Sequence, residues 1–190
     1  MQQAQEQYEQ ATLGGGCFWC VEAMYQKLNG VISVESGYSG GHVDNPTYKQ
    51  VKQGDTGHAE VVRIAFDPQV IPFAEILKVF LLSHNPTELN KQGEDIGHQY
   101  RSVIFYHNEE QKKVALETLK TIEEGQYYKD PIVTEVSPLT NYYKAEDYHQ
   151  NYFNTNPNQP YCALVVKSKV DKFYKLFKDK CKDSEATKNE

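Results

Sequence analysis

The stretch Gly14-Gly15-Gly16-Cys17-Phe18-Trp19-Cys20 joins a short apolar run to a segment with helical spacing. Three consecutive glycines at such a junction allow a sharp turn and let a ligand approach the backbone closely. We therefore predict a strand over Glu9–Leu13, a turn at the glycines and a helix over Phe18–Leu28. The pair Asn29-Gly30 then ends this helix.

The position of Cys17 predicts a reactive thiol. In the first turn of a helix, free N–H groups and the helix dipole favour an anion, so this thiol should ionise more readily than an ordinary cysteine. Phe18 and Trp19, the only tryptophan, follow it and indicate a small, partly apolar substrate. The alternatives are a buried structural cysteine and half of a zinc site. The glycines, the helix start and a second cysteine at Cys20 favour the reactive thiol.

Length and charge narrow the class of protein. The 190 residues fit one domain, which we place at 9–181, with a polar extension at 1–8 and a frayed tail at 182–190. The net charge is −6, and the lysines and arginines are scattered, which argues against nucleic acid or an anionic membrane as the main partner. An ordinary surface on one small domain leads us to expect a monomer.

The N-terminal residues and the cysteines bear on the compartment. No run is long enough to span a bilayer, and residues 1–12 lack the apolar segment of a signal peptide. We expect a cytoplasmic protein, with the periplasm as the alternative if a signal peptide has been removed. Four cysteines, spaced unevenly, suit redox or catalytic use better than a disulfide scaffold.

The remaining pattern predicts an α+β fold. Alternating and apolar runs predict four further strands, at Val31–Tyr38, Glu60–Phe66, Arg101–His107 and Ile132–Val136. Helical spacing predicts helices after Pro72, after Asn108 and over Lys169–Lys180. The stripes expected to be buried on the last two helices are Ala115, Leu116, Leu119 and Ile122, and Val170, Phe173, Leu176 and Phe177. The element order favours a mixed sheet with helices, built on a ferredoxin-like split βαβ core with long functional loops.

Glu60 stands in phase with the apolar face of its predicted strand, which carries Val62, Ile64 and Phe66. A carboxyl group on that side should be partly desolvated, and desolvation raises its pKa toward the value a proton donor needs near pH 7. A glutamate that bends back to solvent at the strand end is an equally good reading of the phase alone.

Several common catalytic motifs are absent from the sequence. There is no GxxxxGK[ST] phosphate loop, no GxSxG serine elbow, and no HExxH among the six histidines. What remains is a thiol, a candidate buried acid, polar loops and further thiols.

Those residues occur in segments that closely resemble the A-type peptide methionine sulfoxide reductases. The resemblance covers roughly 13–162, and its two most specific segments are GCFW, at 16–19, and GDTGHAE, at 54–60. The other matching segments are Gly37-Tyr38-Ser39-Gly40-Gly41, Asn45-Pro46-Thr47-Tyr48, Gln99-Tyr100-Arg101-Ser102 and Ala145-Glu146-Asp147-Tyr148-His149-Gln150.

The resemblance implies a role for each matched residue. Cys17 would attack the sulfur of methionine (S)-sulfoxide, free or in oxidised proteins, and Glu60 would protonate the sulfoxide oxygen. The groups that would hydrogen-bond around that oxygen are Tyr48, Asp95 and Tyr100, and those that would hold the S-methyl group are Phe18 and Trp19. Cys17 would be left as a sulfenic acid, which condenses with a second thiol to a disulfide.

The identity of the second thiol stays open. Cys162 lies where the family often has its resolving cysteine, and we favour it slightly. Cys20 is one helical turn from Cys17, a separation compatible with a disulfide. A disulfide formed first by either Cys20 or Cys162 can also be followed by thiol–disulfide exchange between them. Cys181 falls outside the matched region and is expected to be a bystander. The family implies thioredoxin or another dithiol as reductant, and no resident cofactor or metal.

Two other functions compete with this hypothesis. A thioredoxin-like oxidoreductase would exchange disulfides directly through Cys17 and Cys20. A zinc-binding module would hold its metal with Cys17, Cys20, Cys162 and His149. Neither alternative accounts for Glu60, Tyr48 and Asp95.

Overall fold

A computed structural model describes residues 7–182. The strands are β1 (Glu9–Gly14), β2 (Val31–Ser39), β3 (Ala59–Phe66), β4 (Lys91–Gln92), β5 (Asp95–Ile96), β6 (Val103–Tyr106), β7 (Glu135–Pro138) and β8 (Tyr143–Lys144). The helices are α1 (Phe18–Tyr25), α2 (Tyr48–Gln53), α3 (Phe73–Ser83), α4 (Glu109–Glu124), α5 (Tyr152–Thr155) and α6 (Lys167–Phe177). Single 3₁₀ turns lie at His98–Tyr100, Asp147–His149 and Lys178–Lys180, and a π-helical turn, Cys162–Val166, leads into α6.

Six strands form one sheet in the order β7-β6-β1-β3-β2-β8. The central strand β1 is antiparallel to both β3 and β6, and β3 is antiparallel to β2. Strands β1 and β2 therefore run in the same direction with β3 between them, which is the split βαβ arrangement, with α1 as its crossover. This confirms the predicted α+β class and its core. The two edge strands extend that core, because β7 pairs parallel to β6 and β8 pairs antiparallel to β2.

The main core lies between the sheet and the helices. The residues of β3 predicted to face it, Val62, Ile64 and Phe66, are all fully buried. The other face of the same strand is covered as well, since Val61 belongs to a smaller cluster against which Tyr142 packs. The predicted strand at 132–136 is shifted, because pairing to β6 begins only at Glu135 and ends at Pro138. A proline suits the end of an edge strand, where no N–H is required.

Two residues predicted to be buried are exposed. Leu116 on α4 is 50% exposed and Leu176 on α6 is 58% exposed, whereas Ala115, Phe173 and Phe177 are buried. Successive residues of a helix point about 100° apart. A narrow contact face that buries Ala115 or Phe177 therefore leaves the adjacent leucine, Leu116 or Leu176, at the border of the buried face. The period of the pattern was correct, but the predicted stripe was too wide.

The chain after α6 is attached to the end of α1. The backbone N–H of Asn29 donates to the carbonyl of Lys180 over 2.8 Å, and that of Lys182 donates to Lys27 over 2.9 Å. Leu28 and the buried Cys181 form an isolated bridge between these bonds. Lys182 is therefore hydrogen-bonded, and the rest of the predicted tail, 183–190, lies outside the described residues, as do residues 1–6. Within 7–182, no helix combines the length and the apolar character needed to cross a membrane.

Candidate active site

The glycine turn delivers Cys17 to the start of α1. Gly16 has φ +93, a left-handed conformation suited to glycine, and its N–H donates to the Tyr100 carbonyl over 3.2 Å. A Cβ on Gly14 would lie only 2.7 Å from the Glu60 carbonyl oxygen, so β1 and β3 approach closely here because of the glycine. The turn therefore fixes the thiol next to the end of β3 and the 98–100 turn.

Cys17 lies at the N-cap of α1, one position before the predicted first turn. Its pKa is raised well above the ordinary value, which contradicts the expected easy ionisation. Burial is the largest cause, and the hydrogen bond to Cys20 and the carboxyl group of Glu60 raise the pKa further. A hydrogen bond from the backbone of Trp19 acts in the opposite direction but is weaker. The thiol is therefore held in its protonated form.

Glu60 occupies the buried position that the strand phase predicted. It is 2% exposed, and its Oε1 accepts a hydrogen bond of 3.1 Å from the backbone N–H of Phe18. Burial raises the pKa of Glu60 to about 8, although this hydrogen bond opposes the rise. The carboxyl group is therefore mostly protonated at pH 7 and can give up a proton beside Cys17. The alternative of a side chain bent back to solvent is wrong.

The other predicted polar residues surround this pair. Tyr48 begins α2 and Tyr100 lies in the 98–100 turn; burial raises the pKa of each phenol, and the nearby Glu60 and Cys17 raise it further. Asp95, on β5, accepts a hydrogen bond of 2.5 Å from the hydroxyl of Tyr161. The structure thus brings two segments, the start of α2 and residues 95–100, to the neighbourhood of the thiol pair.

Phe18 and Trp19 stand on the aromatic side of the site. Phe18 is buried, with its ring stacked on Tyr48 at a centroid distance of 6.4 Å. Trp19 is half-buried and stacks on Tyr152 at 3.8 Å, nearly parallel at 9°. Its indole N–H donates to Nδ1 of His149 over 3.0 Å, so the orientation of the ring is fixed from two directions.

Four site residues were not assigned to a catalytic or substrate-binding role from the sequence, which named His149 only as a ligand of the zinc alternative. Tyr152 and Tyr161 contact Trp19, and the buried His149 contacts both Phe18 and Trp19. The carboxylate of Glu146 accepts hydrogen bonds from the Tyr48 backbone and the Tyr38 hydroxyl. The matched segment 145–150 contains two of these residues and was the available signal, and Tyr161 is adjacent to Cys162. Nothing in the sequence pattern indicates Tyr152.

Three thiols meet at the site, and the fourth lies elsewhere. The hydrogen bond with Cys17 lowers the pKa of Cys20 and outweighs its burial, and the charge of Lys169 lowers it further. Burial raises the pKa of Cys162, and so does the neighbouring Cys20. Cys20 therefore interacts with both of the other two thiols, whereas Cys181 forms a bridge with Leu28.

A metal-binding arrangement is not among these contacts. In the part of the chain covering 7–182, no three side chains of histidine, cysteine, aspartate or glutamate are placed to hold a metal ion. Nδ1 of His149, one of the four ligands of the zinc hypothesis, accepts instead from Trp19. That alternative has no site in the described residues.

A carboxyl group that is mostly protonated at pH 7 lies beside a thiol, and this thiol is hydrogen-bonded to a second one. On a split βαβ sheet, these are the groups that a thiol-dependent reductase requires. The sequence profile described as "Peptide methionine sulfoxide reductase" matches residues 9–181. The chain belongs to the peptide methionine sulfoxide reductase family, and it reduces methionine sulfoxide with electrons from thiols. This membership removes the thioredoxin-like alternative.

Relatives and solved structures agree with the family. The chain is 57% identical over 167 residues to Peptide methionine sulfoxide reductase MsrA of Leptospira borgpetersenii serovar Hardjo-bovis, covering 88% of this chain and 94% of that one. The reduced crystal structure of Mxr1 from Saccharomyces cerevisiae matches with TM-score 0.71 and 36% identity, over 80% of this chain and 87% of that chain. Mxr1 in complex with Trx2 matches with TM-score 0.51 and 25% identity, over 80% and 89% respectively.

Proposed function

We propose that Cys17 attacks the sulfur of methionine (S)-sulfoxide while Glu60 protonates the sulfoxide oxygen. One observation supports this most strongly: the Glu60 carboxyl group, protonated at pH 7, is bonded to the N–H of the residue that follows Cys17. Nucleophile and proton donor are therefore fixed relative to each other by a single backbone contact. Because Phe18 N–H is used to hold Glu60, polarisation of the oxygen falls to side chains.

The side chains suited to that task are the hydroxyls of Tyr48 and Tyr100. Both stay protonated at pH 7, so each can donate a hydrogen bond to an oxygen that gains electron density. We propose that Asp95 acts with them, oriented by its bond to Tyr161. Trp19 and Phe18 offer the apolar surface for the S-methyl group.

The reaction leaves Cys17 oxidised. As the Cys17 sulfur attacks, the sulfoxide oxygen takes the proton from Glu60, methionine leaves as the sulfide, and Cys17 keeps the oxygen as a sulfenic acid. The sulfoxide is reduced by two electrons and the thiol is oxidised by two. The proton of the Cys17 thiol returns Glu60 to its acid form.

The arrangement of the thiols favours Cys20 as the first resolving residue, in place of Cys162. Cys20 is hydrogen-bonded to Cys17 and has the lowered pKa, so its thiolate can attack the sulfenic sulfur and expel water. We propose that Cys162, whose pKa is raised by Cys20, then attacks the Cys17–Cys20 disulfide. This exchange forms a Cys20–Cys162 disulfide and frees Cys17 as a thiol.

We further propose thioredoxin as the reductant of the final disulfide, a choice supported by the yeast complex with Trx2. No resident cofactor is needed, since every electron comes from a thiol. We propose that the substrates are both free and protein-bound methionine sulfoxide. We also propose that residues 9–181 form the catalytic unit, and that the protein is a monomer in the cytoplasm.

The test is turnover of the separate (S) and (R) diastereomers of a peptide methionine sulfoxide, with dithiothreitol and then thioredoxin as reductant. We expect consumption of the (S) form alone. Absence of turnover, combined with reduction of a disulfide substrate by Cys17 and Cys20, would contradict the proposal.

A further inference from the structure

A cleft separate from the polar residues of the active site leads to Cys20. It lies between α1, the end of α3 and α6, and has a volume of about 400 Å³. Its walls include Cys20 and Gly15, but none of Tyr48, Glu60 or Tyr100. The cleft therefore reaches Cys20 without passing the polar residues around Cys17.

The burial of its walls shows which end of the cleft is open. Cys20 is 2% exposed, and Met24 and Phe173 are similarly buried at the inner end. Lys172 and Leu176, both on α6, are exposed at the outer end. The cleft thus opens at α6 and narrows toward Cys20.

The charged groups of the cleft are ammonium groups without a carboxylate partner. Lys169 and Lys172 line it, and neither takes part in an ion pair within the described range 7–182, whereas Lys167 on the same helix is bound to Asp171 over 2.7 Å. The chain as a whole carries a net charge of −6, so this cleft is a local positive site on an acidic protein. Such a site raises the local concentration of anions.

We infer that the cleft admits a small thiol carrying a carboxylate or sulfonate group, which reduces the enzyme by attacking Cys20. The volume suits a small molecule, since ligand pockets are roughly 300–1,000 Å³. The inference rests on the proposed function, because it requires the Cys17–Cys20 disulfide as the oxidised state.

The chemistry is two thiol–disulfide exchanges. The thiolate of the small molecule attacks Sγ of Cys20, the Cys17–Cys20 bond breaks, and Cys17 leaves as a thiolate that takes up a proton. A second molecule attacks the small-molecule sulfur of the mixed disulfide and releases Cys20 as a thiolate. Two thiols are oxidised to one disulfide, and the enzyme regains both of its thiols.

The test compares 2-mercaptoethanesulfonate with 2-mercaptoethylamine, which are of similar size and opposite charge. The Cys162→Ser enzyme, which keeps the Cys17–Cys20 disulfide, is oxidised with one equivalent of methionine sulfoxide and mixed with each thiol. Reduction is followed by the fluorescence of Trp19, with rates corrected for the thiolate fraction of each thiol, and the lysine variants below are made in the same background. We expect about tenfold faster reduction by the sulfonate, declining with added salt. The double variant Lys169→Glu, Lys172→Glu should reverse the preference, while Lys175→Glu, Lys178→Glu, with the same change of net charge, should keep it.

Mass spectrometry of the quenched mixture locates the mixed disulfide, and the inference predicts Cys20. The same preference with and without the 169/172 substitutions, or a mixed disulfide on Cys17, would overturn the inference alone. If sulfoxide produces no disulfide that dithiothreitol can reduce, the proposed function fails and the inference fails with it.

Discussion

Replacing Glu60 by glutamine should change both stability and rate in a pH-dependent way. The carboxyl group has a pKa of about 8 in the native protein against an ordinary value of 4.5. Between these values the native state holds a proton that the unfolded state has lost, so wild-type stability falls as the pH rises. Each pH unit in the window costs about 1.4 kcal/mol, giving a loss on the order of 4–5 kcal/mol between pH 4.5 and 8. Glu60→Gln keeps an oxygen for Phe18 N–H and removes this loss.

The assay is urea unfolding at pH 5 and pH 9 under reducing conditions. The difference in unfolding free energy, variant minus wild type, should increase by several kcal/mol between the two values. Glu117→Gln, on the exposed surface of α4, serves as the matched control and should show no such change. An equal difference at both pH values for Glu60→Gln would refute the buried, protonated carboxyl group.

The same substitution tests the proton transfer. A missing general acid lowers a rate by roughly 10²–10⁴-fold, and we expect the rate constant of the first turnover to fall within that range. In the wild type, the slope of log rate against pH should decrease by about one near pH 8, where Glu60 loses its proton. Rapid-quench measurements on both proteins should show this break only in the wild type. If the change of slope near pH 8 persists in the variant, it arises from the titration of a group other than Glu60.

Three further outcomes follow from the packing and the site. Tyr48→Phe should lower the first-turnover rate about tenfold through one lost hydrogen bond, whereas Tyr143→Phe, whose hydroxyl bonds to a surface aspartate, should not; single-turnover kinetics would decide. Phe173→Ala should lower the free energy of unfolding in urea by about 3–5 kcal/mol, because Phe173 is buried. Leu176→Ala should lower it by less than about 0.5 kcal/mol. Similar losses for the two variants would contradict the exposure of Leu176. Gly14→Ala should cost about 1–3 kcal/mol and also slow the first turnover, because its Cβ would push β1 away from β3; unchanged melting and kinetics would refute that close approach.

The part of this fold that the sequence predicted depends on local patterns. The glycine run, the strand phase of Glu60 and the helical periods are short-range signals, and each specified a single element of the fold. The split βαβ core followed from their order. Leu116 and Leu176 were misplaced because a period gives the direction of a buried face but not its width.

The electrostatics of the site could not be obtained in the same way. The position at the helix start predicted a lowered pKa for Cys17. Burial, Cys20 and Glu60 raise this pKa instead. Burial and the proximity of Glu60 are set by the tertiary structure, which the local sequence does not specify. The partner that fixes Trp19, His149, is 130 residues away in the chain. Such contacts leave no periodic signal, so only the matched segments pointed to them.

The most direct test of the account counts the methionine released per enzyme with excess methionine (S)-sulfoxide and no reductant. The wild type should release about two equivalents, because exchange onto Cys162 frees Cys17 for a second attack. Cys162→Ser should stop near one equivalent, with a Cys17–Cys20 disulfide, and Cys17→Ser should release none. Methionine release by Cys17→Ser would contradict the central claim, that this thiol performs the reduction.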